Sequence, residues 1–481
     1  MYPIEPHWLN YIDGEWRDSE RRLQVNNPAI GEPLATIAVA SIEDTECALA
    51  AARRCADSSA LTHARPAQRV TWLLRIAEEI RAVADEGAWV LCQENGKSLR
   101  DAKDEFVEAA RYFEYYAGLA DKIEGTSIPL GNGYMDFTIY DPLGVSAQIV
   151  PWNFPVSICA RSLAPALAAG NAVVIKSPEL SPLGMCVLIR AIARAELPKG
   201  AVNLICGPGS EIGSHIVSHR NVDQIVFTGS VQTGQSILRN AAERAIPSVM
   251  ELGGKSAALV FADADRKQLL NSVKSGIFFN AGQVCSAMSR LLVQRDIYEE
   301  VVAAVVELAQ GLSVGAGSDN PDLTPVINAR QLGGIEALCR RAVEEGAVIA
   351  IGGAAFSDRP GHFMQPTVFR DVSPSMCIAQ EEVFGPVLAV IPFDTEEEAL
   401  AIANGTEFGL VAGVFTQNLS CAMRCVRRLK AGQVFVNEWY AGGIETPFGG
   451  VGLSGFGREK GQEALYSYVR TKNVAIYVSG E

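Results

Sequence analysis

Histidine is scarce in this chain, five in 481 residues, and its eleven cysteines include no C-x-x-C pair. Those two shortages remove most structural zinc sites, which draw on paired thiols and imidazoles. Cys421 and Cys425 lie four apart on an expected helix, with no His and no second Cys pair nearby. His215 and His219 have zincin-like spacing, but Ile216 stands where that motif needs Glu, so an ordinary helix face is the reading. No metal is expected, and an odd cysteine count fits reduced thiols better than a disulfide framework. Basic charge is lacking too. A formal net charge of -14 leaves nothing to neutralise phosphate, so nucleic acid is not an expected partner. The opening M-Y-P-I-E-P-H-W shows neither a basic n-region nor an apolar core, and no apolar run reaches membrane-spanning length. A cytoplasmic protein without a membrane partner is therefore expected. What is present is apolar mass: 48% apolar and 20% charged over 481 residues, enough for two large domains.

Up to about residue 41 the chain reads as short strands and turns, with Asp13-Gly14 and Asn27-Pro28 as turn signals. Ser41, followed by Glu43 and Asp44, opens a helix to about residue 55, and helical spacing continues over 66–85, 87–99 and 101–119. Residues 123–129 and 134–140 alternate about Gly131-Asn132-Gly133, which predicts a hairpin. Beside the β-rich run at 469–478 it makes an oligomerisation unit; a locally covered edge strand is the alternative. Apolar runs at 145–150, 172–175, 202–205, 224–227 and 248–251 alternate with helical stretches at 163–169, 183–195, 211–218 and 233–242. That order predicts a parallel sheet with ligands beyond the carboxyl ends of its strands. Gly207, Gly209 and Gly213 are spaced one residue too widely for G-x-G-x-x-G. A second α/β pattern runs from 258 to about 447, with a helix at 267–279, a strand at 290–293 and helices at 298–312 and 329–345. The glycine-rich stretch from Pro447 predicts close backbone approach.

The loop N-A-G-Q-V-C-S at 280–286 can present the Cys285 thiol to a substrate carbon, although a lone intracellular cysteine is ordinarily just packing. Other motifs decide between the two. Pro151-Trp152-Asn153-Phe154-Pro155, Phe227-Thr228-Gly229-Ser230, Glu251-Leu252-Gly253-Gly254-Lys255, Glu382-Val383-Phe384-Gly385-Pro386 and Pro447-Phe448-Gly449-Gly450 occur in that order. With them, from I-D-G-E-W near residue 12 to G-R-E-K-G near residue 460, the chain resembles the NAD(P)-dependent aldehyde dehydrogenase superfamily over nearly its whole length.

The resemblance implies an α/β fold of two doubly wound parallel-sheet domains with a small β oligomerisation arm. Residues 1–121 and 142–253 would bind NAD, 254–453 would form the catalytic domain, and 122–141 with 454–481 the arm. It implies Cys285 as the nucleophile and Asn153 as an oxyanion donor with the Cys285 amide. Glu251 would be the base that activates water, which favours release of a free acid over transfer to coenzyme A. Glu459 matches a secondary proton-relay position, a plain surface carboxylate being the alternative. Lys176 and Glu179 would grip the adenine ribose, and a carboxylate there favours NAD over NADP. Gly209, Gly229 and Ser230 would lie along the dinucleotide, Glu382 on the nicotinamide ribose and Phe384 at the ring, with Trp152 also among the cofactor-binding residues.

On the substrate side Arg161, Phe154, Phe279, Trp439 and Tyr440 match tunnel positions. The aromatics suggest an aromatic or medium-chain aldehyde, whereas Arg161 would suit a carboxylate-bearing semialdehyde. The expected partners are thus a small aldehyde and further copies of the chain, as homodimer or homotetramer. A non-catalytic binding use of the same fold is the reading from another class.

Overall fold

The protein is described by a computed structural model covering residues 2–58 and 60–478. Two large sheets organise it. The first runs in the order Gly455–Phe456, Ser248–Glu251, Gln224–Thr228, Val145–Ile149, Ala172–Ser177, Val202–Cys206, Asn10–Ile12, Glu15–Arg17. Its five inner strands are mutually parallel; Gly455–Phe456 and Asn10–Ile12 flank them antiparallel, and Glu15–Arg17 pairs antiparallel with Asn10–Ile12. These inner strands read as unbroken apolar runs because both faces are covered. In Ala172–Ser177, Val173 and Ile175 enter one core while Ala172 and Val174 enter another on the opposite face.

The second sheet runs Val348–Ile351, Thr367–Arg370, Val387–Phe393, Arg290–Gln294, Ala257–Val260, Val411–Phe415, Gln433–Val436, with only the first strand antiparallel. It has a core of its own. The α/β class and doubly wound sheets inferred from the sequence are both present.

Local chemistry sets the helix ends. α1 (Ile42–Asp57) begins with a reciprocal capping box: Ser41 Oγ accepts the Asp44 N–H at 3.0 Å, and Asp44 accepts the Ser41 N–H at 2.9 Å. α2 (Pro66–Ala82) precedes α3 (Ala84–Asn95), which ends sooner than the expected residue 99 because Gly96 takes a left-handed C-cap conformation. Ser98 then caps α4 (Leu99–Ala117). α5 (Pro155–Ala169) is twice the expected length. Every residue in it is buried, so it has no polar face to show a period, and Pro155 at its first turn is the start signal.

α6 (Leu183–Ala193) follows the expected course, whereas the stretch over 211–218 is a wide turn at Gly209–Gly213 leading into the short α7 (Ser214–Ser218). His215 and His219 do not face solvent alone. Both reach Glu46 of α1, at 2.6 and 3.2 Å, and tie the two helices together. α8 (Val231–Ala242) is capped by Ser230, whose side chain accepts the Thr233 N–H.

The third sheet is the arm. Tyr134–Pro142 pairs antiparallel along its full length with Val469–Tyr477, and Ser127–Ile128 joins its other edge, so the strand expected over 123–129 shrinks to two residues. Among the described residues no helix is long and apolar enough to cross a membrane.

Candidate active site

In the first sheet the strands Val145–Ile149 and Gln224–Thr228 are neighbours, but the chain leaves the former toward Ala172 and returns only after Val202–Cys206. A crevice opens at such a switch point beyond the carboxyl ends of the strands. Here Trp152 and Asn153 follow one strand and Gly229 and Ser230 the other. A cleft of ≈ 660 Å³ occupies this place. Its walls carry Trp152, Asn153, Lys176, Glu179, Gly209, Gly229, Ser230, Glu251, Cys285, Glu382 and Phe384, residues from seven separate stretches of sequence.

Cys285 arrives on a strained loop. The helix expected over 267–279 is α-helical only through Arg266–Val273, continues as a wider turn over Lys274–Phe278, and then reverses hand. Asn280, Ala281 and Gly282 have φ of 49, 53 and 70°, a left-handed turn that L-residues adopt at a cost. Gly282 has no alternative: a Cβ there would sit 2.0 Å from the Gly385 carbonyl oxygen. Asn280 and Gln283 hold the turn, the Gln283 side chain donating to the Asn280 carbonyl at 3.0 Å and accepting the Ile327 N–H at 2.9 Å.

Cys285 itself is only partly exposed. Burial pushes its thiol up to about 12; Arg161 acts against that, while Glu382 and Glu251 add to it. A resting thiol is thus held protonated, within the electrostatic reach of two carboxylates and one guanidinium.

Asn153 donates from Nδ2 to the Gln283 carbonyl at 3.0 Å, which joins the turn after Val145–Ile149 to the Cys285 loop. Glu251 ends the strand Ser248–Glu251 with 2% of its surface exposed, and neither carboxyl oxygen has a protein hydrogen-bond partner. Burial raises its pKa well above 4.5, the Glu459 charge adds to this, and Arg161 and Arg458 oppose it. An unpartnered buried carboxyl beside a cleft is an acid-base group in waiting.

Glu459 is buried rather than on the surface. It forms an ion pair with Arg161 and accepts the Ser162 hydroxyl at 2.5 Å. Burial alone would lower the Arg161 guanidinium, but Glu459 together with Tyr112, Glu251 and Cys285 outweighs it and the arginine stays charged. Arg161 also reaches Thr228 Oγ1 at 3.5 Å and faces the Phe448 ring at 5.3 Å.

At the other end of the cleft Glu179 Oε1 receives Lys176 Nζ at 3.0 Å and the Gly209 N–H at 2.9 Å. Glu382 accepts the Gly254 N–H at 3.1 Å, and burial raises its carboxyl to about 7. Phe384 sits edge-on to Trp152 at 5.4 Å in a left-handed backbone conformation, φ 53°. Gln331 Nε2 donates to the Phe384 carbonyl at 2.9 Å and helps hold it. Gln331 and Arg330 line the cleft but carry no role in the sequence reading; the only signal was an Asn328-x-x-Gln331 cap, where Asn328 accepts the Gln331 N–H at 2.9 Å.

Six residues singled out in the sequence do not line this cleft: Arg161, Glu459, Phe154, Phe279, Trp439 and Tyr440. The four aromatics form a separate cluster. Phe154 stacks on Phe279 at 5.7 Å, Phe279 meets Tyr440 at 6.4 Å, and Tyr440 meets Trp439 at 6.3 Å. Trp439 is packing, 3% exposed, with its indole N–H on the Ser286 carbonyl at 3.2 Å. The Tyr440 hydroxyl is buried without a partner, and its pKa is raised by burial and then by the Cys285 charge, which makes the two side chains neighbours. Cys285 therefore stands between the cleft and the aromatic cluster.

The Aldehyde dehydrogenase family matches residues 16–474. The chain is 38% identical to betaine aldehyde dehydrogenase of Bacillus subtilis (strain 168), covering 96% of each protein. It is 39% identical to retinal dehydrogenase 2 of Gallus gallus, over 98% of this chain and 92% of that one. A crystal structure of betaine aldehyde dehydrogenase from Staphylococcus aureus in complex with NAD+ superposes with a TM-score of 0.96 at 36% identity, covering 98% of this chain and 95% of that one.

Proposed function

The chain belongs to the aldehyde dehydrogenase family, and on that premise we propose that it oxidises an aromatic or medium-chain aldehyde to the free carboxylic acid with NAD. The observation that carries this reading is one cleft holding Cys285, Glu251 and Asn153 together with the cofactor contacts.

Cys285, once deprotonated, adds to the carbonyl carbon, and Glu251 is the buried carboxylate able to take its proton. Asn153 has two side-chain N–H donors. One is given to Gln283, which leaves the other for the oxyanion alongside the Cys285 amide. The acyl group retained on Cys285 is a thioester, and Glu251, free of other partners, activates the water that cleaves it. Glu459 belongs behind this group as a proton-relay carboxylate tied to Arg161.

The cleft fits a dinucleotide by its donor set. Lys176 and Glu179 suit ribose hydroxyls, with the Gly209 N–H fixing the Glu179 carboxylate, the first turn of α8 after Gly229 and Ser230 suits phosphate, and Glu382 suits the second ribose beside Trp152 and Phe384. NAD, when bound, supplies the hydride acceptor. The open Glu179 oxygen would repel a 2′-phosphate, so NADP is the less favoured cofactor. Glu179→Ala is expected to raise the kcat/KM ratio of NADP to NAD by about tenfold, roughly 1.4 kcal/mol of discrimination. An unchanged ratio in steady-state assays would remove Glu179 from the ribose site.

Relatives of nearly equal identity are named for betaine aldehyde and for retinal, so likeness leaves the substrate to the walls of the site. Arg161 would serve a semialdehyde carboxylate, but Glu459 already takes its charge in a buried pair. What remains beside Cys285 is the Phe154, Phe279 and Tyr440 cluster, apolar and aromatic. Adding NAD with benzaldehyde, hexanal or succinic semialdehyde and following reduced-nicotinamide absorbance tests this. The first two are expected to exceed the third in kcat/KM by about 100-fold. A preference for the semialdehyde overturns the substrate reading, and no turnover with any aldehyde favours a non-catalytic use of the fold. Exposed Leu130, Tyr134, Met135, Ile476 and Tyr477 on the arm support assembly as a homodimer or homotetramer.

A further inference from the structure

We propose that Asn95 and Lys97 are positioning residues that set the direction of the Asn153 amide; the inference rests on Asn153 being the oxyanion donor. The segment between Val145–Ile149 and α5 belongs to no ladder, and the Trp152 and Asn153 carbonyls it turns inward need donors from elsewhere. Both come from one short stretch, Glu94-Asn95-Gly96-Lys97. Asn95 Nδ2 donates to the Trp152 carbonyl at 2.7 Å, and Lys97 Nζ donates to the Asn153 carbonyl at 2.7 Å. Gly96, with φ +87°, supplies the bend that lets residues on either side of it face the same turn.

Lys97 is itself tightly held. Its side chain is fully buried, pairs with Glu105 and lies 4.0 Å from the centre of the Phe154 ring. Glu105 also accepts the Ser157 N–H at 3.1 Å, so the ion pair spans the first turn of α5. Glu94 accepts the Leu183 and Gly184 N–H groups at 2.7 Å each and fixes the same stretch to the start of α6. On the active-site side Asn280 Nδ2, at 3.4 Å, also reaches the Asn153 carbonyl.

The backbone of the oxyanion donor is thus held from behind by a lysine and an asparagine that do not line the cleft. A displacement near 1 Å at such a donor costs about 100-fold in rate. A buried ion pair adds little stability by itself, so what the Lys97 charge supplies here is the bond to the Asn153 carbonyl.

The test is a double-mutant cycle on the full-length enzyme with NAD and benzaldehyde, read as the stopped-flow burst of reduced nicotinamide. Lys97→Met combined with Glu105→Gln avoids leaving one buried charge alone. That variant is expected to slow the burst by about 10- to 100-fold with the NAD dissociation constant unchanged, and to slow it no further when Asn153→Ala is already present. Asn95→Ala, a milder change, is expected to give a smaller slowing that the Asn153→Ala background likewise abolishes. If either slowing persists in full in that background, or the burst is untouched, Asn95 and Lys97 are structural only. If Asn153→Ala alone leaves the burst unchanged, it is the donor reading that fails. Should the paired variant not fold, the Asn95→Ala cycle decides the matter alone.

Discussion

Cys285→Ala is expected to lower aldehyde turnover by at least about 10⁴-fold, in line with removal of a covalent nucleophile, while NAD binds with unchanged affinity. The asymmetry follows from position. The sulfur lies between the cleft and the Phe154, Phe279 and Tyr440 rings, so truncating it removes the proposed attacking atom and leaves Lys176, Glu179 and Glu382, the residues proposed to hold NAD, in place. With burial pushing the thiol up to about 12, little thiolate exists at neutral pH in this state, and the rate of thiohemiacetal formation should rise with pH. The alanine variant should lose that dependence together with the activity. Single-turnover absorbance and fluorescence titration of NAD read the two quantities separately, and retained turnover would remove Cys285 as the nucleophile.

Glu251→Gln carries the second large effect, a fall of about 100-fold or more in the hydrolytic step, seen as an acyl-enzyme that forms in a burst and then stalls. An unaffected steady-state rate would give the base role to another group. The pH dependence of stability provides an independent check. Burial, with Glu459 adding to it, holds the Glu251 pKa well above 4.5, so the folded protein keeps this proton where the unfolded chain releases it. The native state then binds more protons, and stability declines as pH rises from about 4.5 up through the folded pKa of Glu251. Glutamine cannot be deprotonated. The variant should therefore melt higher than the parent, with a gap that widens as pH rises over that window and vanishes below it. Catalytic carboxylates commonly trade stability for function in this way.

Much of this was legible before any coordinates. Buried parallel strands write themselves as apolar runs because both their faces meet protein, and Val145–Ile149 and Gln224–Thr228 are plain for that reason. Trp152-Asn153, Glu251 and Cys285 stand in contiguous motifs, and the fold brings them into one cleft. Other features could not be read. α5 hides its start because burial on all sides erases the period. The left-handed turn at Asn280–Gly282 follows directly on a helical pattern, and two of its three residues, Asn280 and Ala281, are not glycine and so do not announce it. Glu459 could not be told from a surface carboxylate, because its partner Arg161 belongs to a distant part of the chain. Lys97 escaped for the same reason: its charge, its anion and the carbonyl it serves meet only after folding.

The Arg161–Glu459 pair has a consequence for how the protein is made. Arg161 is buried in α5, yet its anion emerges from the ribosome roughly 300 residues later, about 15 to 60 s at ordinary elongation rates. Through that interval the nascent lobe built on the first sheet must leave α5 undocked or bury a guanidinium with no counter-charge, and losing one member of such a pair costs about 3–5 kcal/mol. Translation that stops short of Glu459 should thus yield not an inactive but well-formed lobe, but a product that chaperones retain and proteases clear.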